Sequence, residues 1–145
     1  MKLIFFGAGF CSKFILESLE GFDEIICTHN FELTSQPFDQ KLKIKRMTFS
    51  EFSKNHNSLF SGVTHLLNSI PPIKERDIVF DLFKKTENTN FNKLKWLGYL
   101  SSTSVYGDHS GKWVDEYTKV NPKTIRGKLR KNVEDSYYKL FRERN

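Results

Sequence analysis

The sequence predicts an α/β domain in which about five parallel strands, in the order 3-2-1-4-5, carry helices on both faces. Two observations support this fold class. Short apolar runs of strand length alternate along the chain with segments whose apolar residues recur at helical spacing. The 145 residues match the size of one domain, and no repeat, low-complexity tract or shift in composition divides them. We therefore expect a single doubly wound domain over residues 1–145.

The first strand and the first helix are the most clearly marked elements. The segment from Lys2 to Gly7 is a continuous apolar run that ends at glycine, which is typical of a strand buried on both faces. A helix follows, with charged residues between its apolar positions and Gly21 at its end. Those apolar positions are Phe10, Phe14, Ile15 and Leu19. A second strand over 24–28 and a polar loop over 29–40 come next.

The middle of the chain predicts shorter elements. A third strand lies within residues 42–47, and a weak helix covers residues 50–59. The fourth strand, over 63–68, ends before Pro71 and Pro72, because proline cannot donate to a strand ladder and restricts the residue before it. The helix after it has its buried stripe at Ile78, Val79, Leu82 and Phe83.

The fifth strand and the last helix complete the pattern. The strand is predicted over 96–101. Pro122 is expected to open the helix, because proline is favoured in a first helical turn. The apolar row of this helix recurs at nearly every fourth residue. It consists of Ile125, Leu129, Val133, Tyr137 and Phe141.

Composition excludes several classes of protein. The chain is 38% hydrophobic and 14% aromatic, with 14 Phe, which is incompatible with a disordered chain. No apolar run approaches the roughly 20 residues that span a bilayer, and the N-terminus lacks the features of a signal peptide, so we expect a cytoplasmic protein with no membrane partner. Cys11 and Cys27 form neither a disulfide framework nor a metal-ligand spacing, so no metal site is expected.

The net charge of +6 resides in the last part of the chain. Residues 1–118 carry 14 basic and 14 acidic side chains, whereas residues 119–145 carry 9 and 3. A basic helix of this kind indicates either a solvated helix face or a surface for nucleic acid or phosphate. The solvated face is the simpler interpretation, so nucleic acid is not an expected partner.

A glycine motif joins the first strand to the first helix. The segment Gly7-Ala8-Gly9-Phe10-Cys11-Ser12 matches G-x-G-x-x-G except that Ser12 replaces the third glycine. The first glycine permits a tight turn, the second lets a pyrophosphate approach the backbone, and the helix beginning near Phe10 offers free N–H groups. Gly7, Gly9, Phe10, Cys11 and Ser12 are therefore candidate cofactor contacts. The alternative is that the glycines only make a strand-to-helix turn.

The end of the second strand bears on the choice of cofactor. In NAD sites an acidic residue about 20 positions after the glycines usually binds the adenosine ribose. Here the strand ends in Thr28-His29-Asn30, without a carboxylate, which favours NADP over NAD although no Arg is present either. Thr28 and His29 are candidate cofactor contacts. His29 is alternatively an exposed loop residue.

Two further strings carry a family resemblance. The first is Leu100-Ser-Ser-Thr-Ser-Val-Tyr-Gly-Asp108, followed by the acidic pair at 115–116 and by Pro122. The second runs from Thr64 to Pro72. With them the chain resembles, over its whole length, the extended short-chain dehydrogenase/reductase family of NAD(P)-dependent nucleotide-sugar epimerases and dehydratases. The resemblance implies a Rossmann-type fold, an NAD(P) cofactor, and contact of that cofactor with Ser69, Ile70 and Pro71.

The resemblance also implies catalytic positions. In the family a Ser or Thr four residues before the Tyr of V-Y-G helps to polarise the substrate carbonyl, and Ser102 stands at this place. A hydroxyl at the carboxyl end of a parallel strand suits that role; the alternative is that Ser102 only caps the strand end. Trp113, in the loop that follows, is expected to be a packing residue.

The family's catalytic Tyr and Lys are replaced in this chain. Arg126 stands at the Tyr position and Arg130 at the Lys position. Arginine stays cationic and cannot shuttle a proton, so the standard acid/base step is unsupported. Two arginines at this spacing share a helix face and could hold a carboxylate, a phosphate or the charge of the cofactor. Alternatively they are structural, Arg130 pairing with Glu134 and Arg126 with the acidic pair at 115–116.

Two function classes remain open. Full members of the family are about twice as long, so the C-terminal substrate-binding half is expected to be absent. One hypothesis is an atypical NAD(P)-dependent oxidoreductase or epimerase that acts on a carbonyl or sugar-nucleotide substrate of anionic character. The other is a non-catalytic NAD(P)-sensing or structural module. A homodimer is a possible assembly in either case.

Overall fold

Strands and helices alternate along the part of the chain that the computed structural model describes, residues 1–30 and 44–142. The strands are β1 (Lys2–Phe6), β2 (Glu24–His29), β3 (Ile44–Thr48), β4 (His65–Asn68) and β5 (Trp96–Tyr99). The helices are α1 (Phe10–Glu17), α2 (Phe49–Lys54), α3 (His56–Phe60), α4 (Ile78–Lys85) and α5 (Ile125–Arg142). Two 3₁₀ turns, Asn88–Phe91 and Thr103–Val105, flank β5. The predicted loop over 29–40 lies outside the described residues from position 31 onward, and β2 includes His29.

The five strands form one parallel sheet in the order β3-β2-β1-β4-β5, which confirms the predicted fold class. Strand β1 lies at the centre, and its residues Ile4, Phe5 and Phe6 are fully buried. Helix α1 covers one face of the sheet, where Leu16 packs against apolar side chains of β1 and β2. The other four helices cover the opposite face. The carboxyl ends of β1, β2 and β4 therefore meet at one edge, where open parallel sheets bind ligands.

Aromatic rings form much of the core on the face opposite α1. The ring of Phe6 contacts four other phenyl rings at centroid distances of 5.0 to 6.3 Å, in tilted or edge-to-face geometry. These rings belong to Phe49, Phe52, Phe60 and Phe83. Such pairs stabilise a core by about 0.5–1.5 kcal/mol beyond their area burial. This cluster fixes α2, α3 and α4 against β1.

The predicted apolar face of α1 is wrong at its first turns. Phe10 is 84% exposed and Phe14 is 55% exposed, whereas Ser12 and Leu16 are buried. The small Ser12 faces the interior and its hydroxyl donates to the Gly9 carbonyl, so this side of α1 approaches the sheet closely. The two phenyl rings stack edge-to-face with each other on the outer side of the helix.

Helix α5 begins at Ile125 rather than at Pro122. The Thr124 hydroxyl accepts a hydrogen bond from the Gly127 amide at 3.0 Å, which caps the helix. The buried stripe is also displaced from the predicted row, because Gly127 and Arg130 are buried while Ile125 is 77% exposed. Of the predicted row, Val133 and Tyr137 are buried, and Leu129 and Phe141 are half-buried.

The remaining differences concern lengths. The predicted helix over 50–59 is two helices separated at Asn55, and β4 and β5 are each two residues shorter than predicted. The first of these helices starts in a capping box, in which Thr48 and Glu51 each accept from the other's backbone amide. In the described residues, no helix is long and apolar enough to cross a membrane.

Strand β5 is the last strand of the described sheet, and its outer side is open. A groove of about 440 Å³ runs between this edge and α5, lined by Leu97, Tyr99, Ser101, Tyr137 and Tyr138 among others. On the other face of β5, the indole ring of Trp96 lies directly over Gly98, so closely that no side chain could occupy position 98 without moving the ring.

Candidate functional site

The turn between β1 and α1 requires glycine at its first position. Gly7 has a φ of +81°, and a Cβ atom there would lie 2.7 Å from Ile70 Cγ1 and 2.9 Å from Ser69 Oγ. The Gly7 amide donates to Thr28 Oγ1 at 3.3 Å, and the Ala8 amide donates to the Thr28 carbonyl at 2.8 Å. The turn is therefore held between the ends of β2 and β4.

Gly9 presents an open backbone at the start of α1. A Cβ atom on Gly9 would meet no atom closer than the Gly7 carbonyl oxygen, at 3.9 Å. No side chain caps the first turn of the helix, and Phe10 and Cys11 in that turn are exposed. The Gly9 amide donates to the Gly7 carbonyl and the Ser12 amide donates to the Gly9 carbonyl. This leaves the Phe10 and Cys11 amides as donors for an anion that approaches Gly9. Ser12, by contrast, is buried beneath the turn and shapes it.

Thr28 and His29 have different places at the end of β2. Thr28 is fully buried, and its side chain holds the glycine turn. His29 is half-buried, and its Nδ1 atom is shielded from solvent without a hydrogen-bond partner among the described residues. This atom is a polar group that a ligand could satisfy.

Glu51 brings a carboxylate close to His29, which the sequence analysis missed. The Thr48 backbone amide and hydroxyl both donate to Glu51 Oε2, and these bonds hold the pKa of this carboxyl below its usual range. The T-x-x-E spacing at 48–51 is the signal that would have revealed the capping box. In this capping box the Glu51 carboxylate is hydrogen-bonded to Thr48.

The Ser69–Ile70 turn lies against the glycine turn from the side of β4. The Ser69 hydroxyl donates to the Phe6 and Gly7 carbonyls, and the Ser69 amide donates to the Phe6 carbonyl at 2.9 Å. Pro71, which follows, is exposed. The structure thus brings together Gly7, Thr28, Ser69 and Ile70, which the sequence analysis had selected separately.

Behind this turn lies a buried polar cluster that sequence reasoning missed. It consists of Asn68, Asp77 and Tyr137, which are 2%, 8% and 4% exposed and hydrogen-bonded to one another. Burial raises the pKa of the Asp77 carboxyl, against the opposing effect of hydrogen bonds from Phe80 and Val79. Burial also raises the pKa of the Tyr137 hydroxyl, so it remains a protonated donor. No sequence pattern marks this cluster, since its members lie on three separate elements.

Ser102 follows β5 and starts the 3₁₀ turn Thr103–Val105. Its hydroxyl oxygen accepts from the Ser104 amide at 3.3 Å and contacts the Ser104 hydroxyl at 3.0 Å. Ser102 thus caps the 3₁₀ turn that follows it and not the end of β5, which lies at Tyr99. The indole of Trp113 is fully exposed, so the prediction that it packs in its loop is wrong.

The two arginines of α5 occupy different environments. Arg130 is 6% exposed, and its Nη1 donates to Tyr99 Oη at 3.0 Å and to the Leu100 carbonyl at 2.8 Å. Burial raises the pKa of Tyr99, and the Arg130 cation opposes that shift. Arg126 is exposed one turn earlier. The two ion pairs expected for these arginines, to Glu134 and to residues 115–116, are absent from the part of the chain that the structure describes.

The described part of the site lacks a cluster of metal-ligating side chains. Among residues 1–30 and 44–142, no group of three or more His, Cys, Asp or Glu side chains is placed to hold a metal ion. The polar groups at the sheet edge are instead backbone amides, hydroxyls and one imidazole, which suit an anionic or polyhydroxylated ligand.

Comparisons with known proteins give matches only among solved structures. No family model matches the chain, and no curated protein does. A conserved protein of unknown function from Silicibacter pomeroyi is similar, with 30% identity and a TM-score of 0.76. The alignment covers 94% of this chain and 47% of that protein.

Two other similar structures carry functional names. One is a UDP-glucuronic acid 4-epimerase from Bacillus cereus, solved with a fluorinated UDP-glucuronic acid and NAD, at 16% identity, a TM-score of 0.61, and coverage of 95% and 51% of the two chains. The other is a proposed NAD-dependent epimerase/dehydratase from Methylobacillus flagellatus, at 17% identity, a TM-score of 0.59, and coverage of 92% and 49%. The chain spans about half the length of the structures it matches. It therefore has a Rossmann-type fold in common with NAD-dependent epimerases and dehydratases.

Proposed function

We propose that this chain binds NAD(P) at the turn between β1 and α1, as the cofactor-binding part of an epimerase/dehydratase-like protein. When bound, the nicotinamide supplies hydride transfer. The observation that carries the proposal is the open backbone of Gly9 at the first turn of α1. The pyrophosphate would be held by the amides of that turn, with the cofactor running between His29 and the Ser69–Ile70 turn.

The residues present fit this ligand in two respects. Gly7 lets the Ser69–Ile70 turn pack directly on the glycine turn, which leaves the space above Gly9 clear. The shielded Nδ1 of His29 has no partner in the described residues, at the strand end where a dinucleotide places its adenosine ribose. The epimerase of similar fold was solved with NAD, which supports a dinucleotide as the class of ligand.

The test is to close the space above Gly9 without disturbing the fold. Gly9 is the N-cap of α1 and a Cβ atom there meets nothing closer than 3.9 Å, so we expect Gly9→Val to fold with only the modest loss of melting temperature that a poorer N-cap residue causes. Its two methyl groups would lie where the phosphates approach, and we expect NADPH and NADH affinity in calorimetry to fall at least tenfold. Ser18→Val, at the opposite end of α1, is the matched control. Equal affinity in the wild type and Gly9→Val would contradict the proposed site.

We further propose that NADP binds at least as well as NAD. The segment 28–30 offers no carboxylate to repel a 2′-phosphate. Asn30→Asp should shift the preference toward NAD, whereas Asn30→Ala should not. A wild-type chain that prefers NAD tenfold, about 1.4 kcal/mol, would refute this choice.

A non-catalytic binding module is the second candidate function. It is favoured by the arginines, because neither Arg126 nor Arg130 can deliver a proton and Arg130 is engaged by Tyr99 and Leu100. We expect the isolated chain to oxidise NADPH at well below about 1 per second, a slow rate for an enzyme, with carbonyl or sugar-nucleotide substrates. Faster turnover that is lost in Ser102→Ala would support the enzyme, with Ser102 polarising the carbonyl and Arg126 holding an anionic substrate.

A further inference from the structure

The buried cluster of Asn68, Asp77 and Tyr137 connects two helices to the end of β4. Asn68 is the last residue of β4, Asp77 caps α4, and Tyr137 lies in the middle of α5. Asn68 Nδ2 donates to Asp77 Oδ2 and to Tyr137 Oη, both at 3.0 Å. The Tyr137 hydroxyl donates to Asp77 Oδ1 at 3.3 Å. All three groups are therefore paired within the cluster.

The cluster is hydrogen-bonded to the backbone of the Ser69–Ile70 turn. Asn68 Oδ1 accepts from the Ile70 amide at 2.9 Å, so the whole side-chain amide of Asn68 is used. Ile70 in turn packs on Gly7, whose missing Cβ leaves room for it. A rotation of the Asn68 side chain would release the Ile70 amide and leave only the hydrogen bonds of Ser69 to fix this turn against the glycine turn.

Burying three polar groups is costly, and the cost is offset only when every group is hydrogen-bonded. Apolar side chains could fill the same volume, since Phe80 and Phe83 already pack against the Tyr137 ring. The polar cluster does what apolar residues cannot, because it gives the Ile70 amide one fixed acceptor in one fixed direction. That is a positional constraint and not merely a contribution to the core.

We propose that Asn68, Asp77 and Tyr137 are positioning residues for the nucleotide site, which hold the Ser69–Ile70 turn against the glycine turn without touching the ligand. This inference rests on the proposed function. It extends the site from the sheet edge to α4 and α5, and it assigns to Tyr137 a role in nucleotide affinity that acts through Asn68.

The proposal is tested with the purified full chain and two readouts. The first is hydrogen exchange of the Ile70 amide in the nucleotide-free protein, with the Ala8 amide as internal reference. The second is the affinity for NADPH, measured by calorimetry well below the melting temperature. Tyr137→Phe removes one hydroxyl and keeps the ring, and Tyr138→Phe, at the exposed neighbouring position, is its matched control.

We expect Tyr137→Phe to speed exchange at Ile70 and to weaken NADPH binding about fivefold to tenfold, the effect of one lost hydrogen bond. Tyr138→Phe should change neither readout. Asn68→Asp should be more severe, because it sets two carboxylates face to face. The double variant Asn68→Asp/Asp77→Asn removes the facing carboxylates, keeps an acceptor for the Ile70 amide and lets residue 77 donate to residue 68. The Tyr137 hydroxyl keeps only one of its two bonds, so the double variant should recover both readouts in part.

A change in melting temperature without a change in either readout would overturn the positioning role and leave the proposed function intact. So would failure of the double variant to improve on Asn68→Asp in either readout. If the wild type and Tyr138→Phe bind neither NADPH nor NADH, the proposed function fails, and the positioning role toward the nucleotide fails with it.

Discussion

The two cysteines differ sharply in accessibility, although neither forms a disulfide. Cys27 is buried in β2, and burial raises the pKa of its thiol to about 12. Cys11 is exposed in the first turn of α1, next to Gly9. Thiol reactivity requires the thiolate and access to it, so only Cys11 should react in the folded chain.

We therefore expect a thiol reagent to modify one cysteine per native chain at pH 8 and both after unfolding in urea. NADPH should slow the reaction at Cys11, because a pyrophosphate above Gly9 covers the first turn of α1. The measurement is the modification rate with and without nucleotide, and Cys11→Ser should abolish the native reaction. Rapid native modification of Cys27, or an unaltered rate at Cys11 under saturating NADPH, would contradict this expectation.

The arginines of α5 can be separated by experiment. Arg130 satisfies the Tyr99 hydroxyl and the Leu100 carbonyl inside the protein. Arg130→Gln leaves these groups without their donor, and we expect a loss of about 1–3 kcal/mol in the free energy of unfolding by urea. Arg126→Gln, at an exposed position, should leave stability unchanged. If Arg130→Gln unfolds at the wild-type urea concentration and loses NADPH affinity instead, Arg130 acts in the site and not in the scaffold.

At the scale of the elements, Gly127 controls how closely α5 approaches the 3₁₀ turn at Thr103–Val105. A Cβ atom there would lie 3.1 Å from Pro122 Cβ and closer still to the Ser104 carbonyl oxygen. In an exposed helix, Gly→Ala stabilises by about 1 kcal/mol. Here we expect Gly127→Ala to destabilise by about 1–3 kcal/mol, because α5 must move away from the turn.

Urea unfolding of Gly127→Ala beside Asn132→Ala checks this expectation. Position 132 is exposed on the same helix, so the second variant gains helix propensity without a steric conflict. Stabilisation of both variants would show that α5 is not seated against the Ser104 backbone.

The sequence was sufficient for the strand order and insufficient for the orientation of the helices. Apolar runs such as residues 3–6 mark a buried strand locally, and a glycine turn before a helix places β1 at the centre of the sheet. Which side of α5 is buried depends on contacts of Gly127 and Arg130 with residues 23 to 31 positions earlier. Hydrophobic periodicity does not depend on such contacts, so the apolar row predicted from it wrongly included the exposed Ile125.

The sequence was likewise sufficient to predict one part of the candidate site and insufficient to predict another. The glycine turn was predictable because a tight strand-to-helix turn requires glycine at particular, adjacent positions, as at Gly7. The cluster of Asn68, Asp77 and Tyr137 was not, because Asn68 and Tyr137 are 69 positions apart and only the fold brings them together. The buried Tyr137 was predicted as part of an apolar row, which describes its ring and overlooks its hydroxyl.

For the whole molecule, the open side of β5 predicts self-association. In the described sheet, no strand pairs with this side, and the groove beside it exposes apolar and aromatic surface. Unpaired edges and apolar patches favour pairing with a second copy. We expect sedimentation to show a dimer at micromolar concentrations, and Tyr138→Lys, which places a charge on the exposed side of the groove, to restore the monomer. A chain that stays monomeric at every concentration would contradict the role of this edge.

The ring of Trp96 over Gly98 also has an optical consequence. The chain has two tryptophans, of which Trp113 is fully exposed and Trp96 is 46% exposed on β5. The fluorescence of Trp113 should therefore resemble that of free indole in water and should be quenched readily by iodide. Trp96 should emit at shorter wavelength, and Trp113→Phe isolates its signal. Any molecule that covers this part of β5 becomes visible as a blue shift in the emission of a single indole.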